Sequence, residues 1–66
     1  MVFTVTAITW EDNAYQLVFG ISKLKNTNIS HFYQRFCRIL VIEFFGKLVI
    51  ISDKEELQNV ILKYLS

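Results

Sequence analysis

The sequence predicts an α+β fold: a small antiparallel sheet in the order strand-strand-helix-strand-strand-helix, with two helices packed on one face. Three observations carry this expectation. Residues 2–9 alternate apolar and polar side chains with the period of a strand. Residues 41–51 are two apolar runs meeting at Gly46-Lys47, the pattern of a tight hairpin. Residues 30–40 and 53–65 carry apolar residues at helical spacing. At 66 residues the chain has room for one domain, spanning 1–66.

The first strand places Phe3, Val5 and Ala7 against Thr4 and Thr6, and is built from good strand formers. Residues 10–25 admit two readings. Apolar positions 10, 14, 17, 18, 21 and 24 fit a helix that Thr9 and Asp12 could cap. The alternative sets Tyr15, Leu17, Phe19 and Ile21 against Gln16, Val18, Gly20 and Ser22, with Glu11-Asp12-Asn13 as the turn of a hairpin. The strand is preferred. A mid-helix Gly20 costs about 1 kcal/mol, and Tyr, Val, Phe and Ile are weak helix formers.

Lys23 to Asn28 reads as a polar connection. From Ser30 to Leu40, with Ser30 or Asn28 as cap, a step of about 100° per residue gathers His31, Gln34, Arg35 and Arg38 on one side. Phe32, Tyr33, Phe36, Ile39 and Leu40 fall on the other. Two strands follow, 41–45 and 48–51, apolar on both faces as interior strands are. Ser52 and Glu55 have the spacing of a capping box for a last helix reaching Leu65. That helix sets Leu57, Val60, Ile61, Tyr64 and Leu65 opposite Glu55, Glu56, Asn59 and Lys63. The second strand-strand-helix unit resembles the first in element type, without a residue-level repeat.

Composition narrows the function classes. Hydrophobic residues make up 53% and charged residues 20%, which excludes intrinsic disorder. The apolar run 39–42 is cut by Glu43, far short of the ~20 residues of a membrane span. The N-terminus lacks the cationic start and long apolar stretch of a signal peptide, and Cys37 is the only cysteine, so a cytoplasmic location is expected. Net charge is +1, but residues 13–42 carry Lys23, Lys25, Arg35 and Arg38 with no acid. The middle is basic and the ends are acidic.

No catalytic, cofactor or metal constellation emerges. His31 and Cys37, if on one helix, stand about 240° apart and cannot form a nucleophile–base pair. The acid pairs Glu11-Asp12 and Glu55-Glu56 occupy a turn and a helix start, where acids are ordinary. Gly20 and Gly46 stand alone, so there is no phosphate-cradling loop, and one histidine with scattered acids is no metal site. The sequence therefore reads as a non-enzyme.

Two binding surfaces remain. The apolar excess concentrates in 41–51, and helices on one face leave the other open. Val41, Ile42, Phe44, Phe45, Leu48, Val49, Ile50 and Ile51 are thus the candidate interface, with a homodimer as the commonest solution. The alternative is nucleic-acid or other anion binding through His31, Arg35 and Arg38 with Lys23 and Lys25. Against it stands a pI of about 7.9, and a wet helix face must carry some polar residue in any case. The expectation is a regulatory or adaptor module that binds a protein partner or itself.

Overall fold

Strand β1, Val2–Thr9, and strand β2, Ala14–Gly20, pair antiparallel in unbroken register from Val2 opposite Gly20 to Ile8 opposite Ala14. A computed structural model describes residues 2–65, with no account of the Leu65 side chain. The expected hairpin thus holds over the ambiguous segment as far as Gly20. Its turn closes because the Asp12 N–H donates to the Thr9 carbonyl (3.0 Å) and the Thr9 N–H to the Asn13 carbonyl (2.9 Å). Asp12 sits at φ 63°, a left-handed position that aspartate tolerates better than most residues.

The first departure from expectation follows at once. Residues 21–26 are not strand and connection but a short helix, α1 (Ile21–Asn26). Its one buried residue is Leu24, and a single anchor leaves no periodicity to read. Thr27 ends it, donating from its amide and hydroxyl to the Lys23 carbonyl at 3.1 and 2.8 Å. Helix α2, Ile29–Phe36, is capped by Asn28, whose Oδ1 accepts from the His31 N–H at 3.1 Å.

Helix α2 stops four residues earlier than its spacing suggested. Cys37 to Leu40 open strand β3, Cys37–Phe44, which pairs antiparallel with β1. The register slips between Ile8 and Thr9, leaving Arg38 as the extra residue of a bulge. Strand β4, Lys47–Ile51, completes the sheet in the order β2-β1-β3-β4. Its two-residue turn is Phe45-Gly46 rather than Gly46-Lys47, with φ of 47° and 81°, and Lys47 already pairs with Phe44. Both central residues at positive φ make the primed turn that matches sheet twist.

Helix α3, Lys54–Val60, is capped one residue later than expected. Asp53 accepts from the Glu56 N–H at 2.8 Å, while Ser52 Oγ donates to Glu56 Oε1 at 3.4 Å. A π-helical segment, Ile61–Leu65, continues the chain. The apolar face expected here is present: Leu57 and Val60 are buried, and Ile61 and Tyr64 pack beside them. Leu65, assigned to the same face, lies outside the described side chains.

The fold is therefore the small α+β arrangement expected, with a four-stranded antiparallel sheet and three helices. The core joins Phe3, Val5 and Ala7 of β1 and Leu40, Ile42 and Phe44 of β3 to Ile51 of β4. Leu24, Ile29, Tyr33, Leu57 and Val60 cover them from the helices. Phe3 and Phe44 meet edge to face at 4.8 Å, and Tyr64 stacks on Phe44 at 4.5 Å. Gln58 Nε2 donates to Ser30 Oγ at 3.2 Å and ties α3 to α2.

Candidate functional site

Strand alternation sorts the candidate interface residues between two faces of the sheet. Ile42, Phe44 and Ile51 lie in the core at 0–1% exposure, and Val49 packs against them. These four are turned toward the helices, away from any partner. Val41 is half-buried on the opposite face, where Leu48 and Ile50 stand 65% and 62% exposed. Phe45 projects from the turn at 72%.

The open face is apolar in part. One cross-strand row runs Val18, Thr4, Glu43, Leu48, and the next runs Gln16, Thr6, Val41, Ile50. Polar residues therefore interrupt the middle of each row, and Glu43 breaks the two-sided apolar character of 41–51. The apolar surface lies toward one half, where Ile8, Ile39 and Val41 adjoin Leu48 and Ile50.

A second apolar surface was not anticipated. On the helix side, exposure rises toward β2: Ala7 is fully buried but its neighbour Tyr15 is 55% exposed, and Val5 at 2% adjoins Leu17 at 43%. At the other edge Ile51 is fully buried. Three short helices cover β1, β3 and β4, but on β2 they cover Phe19 and leave Tyr15 and Leu17 exposed. The result is a hollow of about 420 Å³ between β2 and α2, lined by Thr9, Tyr15, Leu17, Phe32 and Phe36. It continues inward to Val5, Phe19 and Ile29. Phe32 and Phe36, expected in the core, are its upper wall. Phe36 is 51% exposed, with its ring 5.8 Å from Phe32. No local pattern in the sequence signals this hollow, because it depends on where the helices end over the sheet.

The basic stripe does not assemble as expected. Lys23 and Lys25 lie exposed on α1, and His31 and Arg35 lie exposed on α2. Arg38 is on β3, where the bulge sends it to an ion pair with Asp12 of the β1–β2 turn. The i, i+4, i+7 spacing fails because the helix ends at Phe36.

Cys37 likewise leaves the helix for the first position of β3, so its expected angular relation to His31 does not apply. Its thiol is buried, and desolvation raises its pKa above the ordinary value, which suits a packing role. Tyr33 is also raised, first by burial and then by the nearby Asp53 and Glu56 carboxylates. At the α3 cap the Asp53 carboxyl is held low by the hydrogen bond from the Glu56 N–H. Glu56 is raised chiefly by its side-chain hydrogen bond with Asp53. Among the described residues no group of three His, Cys, Asp or Glu could hold a metal, and no helix is long and apolar enough to cross a membrane.

Neither protein-family models, nor curated proteins, nor solved structures show a match to this chain.

Proposed function

We propose that the chain is a small interaction or regulatory module that acts by binding, carries no catalysis of its own, and self-associates through its apolar sheet surface. The observation that supports this reading is the open face: Leu48 and Ile50 stand about two-thirds exposed beside Val41, Ile8 and Ile39. A chain this small has a high surface-to-volume ratio, and large apolar side chains left in water favour a partner. A reducing compartment, the cytoplasm, agrees with a lone buried thiol at Cys37.

Sedimentation equilibrium at micromolar concentration tests the proposal. Leu48→Lys with Ile50→Lys places two cations on the surface without touching the core. The double variant is expected to associate at least tenfold more weakly than the wild-type chain. Identical association of the two would remove the open face from the reading. Nucleic-acid binding is the competing outcome. It requires affinity for duplex or single-stranded probes that falls with salt and is lost in Arg35→Ala.

A further inference from the structure

We propose that the chain pairs with a second copy of itself edge to edge through β2, forming a continuous eight-stranded sheet. The proposal rests on the self-association reading and names a contact distinct from the open face. Sheet edges in monomeric proteins are blunted by charge, proline, bulges or cover. Strand β2 has no charge, proline or bulge, and its cover is confined to Phe19. Its sequence, Ala-Tyr-Gln-Leu-Val-Phe-Gly, is uncharged and free of proline, and it pairs with β1 through seven residues without a slip. Among the described residues its outer side pairs with no other strand, because β2 lies at the edge of the sheet.

The occupant follows from geometry. Two antiparallel copies of one strand are self-complementary about a two-fold axis, the commonest symmetry of protein dimers. An axis normal to the sheet keeps both helix layers on the same face. The partner's α2 then lies across the axis from α2, and each hollow beneath Phe32 and Phe36 is closed by its twin. Tyr15 and Leu17, uncovered in one copy, acquire the apolar neighbours that Ala7 and Val5 already have. No like charges meet on the paired strands.

The area is that of a weak, concentration-dependent contact. A half-exposed aromatic contributes roughly 100 Å². Tyr15, Phe36, Leu17 and the backbone edge together reach roughly 400 Å² per copy, about 800 Å² in all, at the low end for protein pairs. Pairing also enlarges the open face. A four-stranded face projects only about 450 Å² from strand spacing and rise, and eight strands double it.

The test isolates the edge by starting from Leu48→Lys/Ile50→Lys, in which the open face is disabled. That variant, weakened in open-face association, is expected to sediment as a dimer at concentrations where the wild-type chain forms larger species. Adding Tyr15→Lys and Gln16→Lys, both at exposed positions, is expected to yield a monomer with an unchanged circular dichroism spectrum. A monomeric starting variant, or a dimer that survives the added lysines, overturns edge pairing. Failure of the open-face reading looks different, because the wild-type chain and the starting variant would then sediment alike. A second measurement does not depend on the lysine variant folding: single cysteines at positions 15 to 19 are oxidised in turn. Interchain disulfides at the positions nearest the two-fold axis are expected, and none at any of the five overturns the proposal.

Discussion

At the scale of single residues, Phe45 shows a local choice that works against the fold. A two-residue primed turn wants asparagine or aspartate followed by glycine, because both positions lie at positive φ. Gly46 meets this demand at φ 81°, with open space where a side chain would be. Phe45 does not, since a bulky aromatic at φ 47° is pushed against its own backbone. Its ring makes an edge contact with Phe3 at 6.3 Å and the residue stands 72% exposed. Phe45→Asn is therefore expected to stabilise the chain by about 1 kcal/mol, because the steric relief outweighs a peripheral contact. Thermal melting checks this. A lower melting temperature would show that the Phe3 contact matters more than the backbone.

At the scale of elements, the cap of α3 sets a pH dependence. Asp53 has its folded pKa depressed below the ordinary 3.8, so its contribution is present above that value and fades as pH falls through the lower folded value. Glu56 is raised above 4.5 and acts in the opposite sense: its contribution is present at low pH and is lost as pH rises through the folded value. Stability should thus rise slightly as pH falls through the raised Glu56 value, then drop as pH falls below the ordinary 3.8 of Asp53 and the cap is protonated. Asp53→Ala is expected to lower the melting temperature at pH 7 by roughly 5 °C and to flatten the acid limb. Melts between pH 2 and 8 decide it; an unchanged acid limb would locate the dependence elsewhere.

The same element-level view shows what the sequence could convey. Strand β2 was legible because Tyr15, Leu17 and Phe19 alternate with Gln16, Val18 and Gly20, and Gly20 discourages a helix. The body of α3 was legible because Leu57, Val60, Ile61 and Tyr64 form one stripe. The end of α2 was not. Ile39 and Leu40 continue its helical spacing, yet β1 pairs with β3 at six positions that a helix could not satisfy, and long-range pairing overrides local pattern. For the candidate site the limit was one of coverage. Residue types on a strand tell which face they occupy, whereas the footprint of the helices above them depends on packing that no local pattern encodes. That is why Ile42, Phe44 and Ile51 are interior while Tyr15 and Leu17 are exposed.

At the scale of the whole molecule, the order β2-β1-β3-β4 sets the first strand of each hairpin at the centre, antiparallel to each other. The two strand-strand-helix units are thereby related by an approximate two-fold axis normal to the sheet. Cover is not symmetric: the second unit closes over Ile51 at its edge, while the first leaves Leu17 open. This asymmetry predicts a gradient of opening. The amides of β1 and β3, flanked on both sides, should exchange hydrogen slowest, at the rate of global unfolding. Those of β2, bonded on one side beneath a half-empty hollow, should exchange much faster in dilute chain. Edge pairing would satisfy the outer amides of β2, so their exchange should slow as concentration rises through the dissociation range. The β4 edge, already covered on its helix side, should change less. Exchange followed by mass spectrometry at two concentrations tests both claims. If β2 exchanged at one rate at both, the bare edge would be a tolerated gap in the helix layer and not a contact surface.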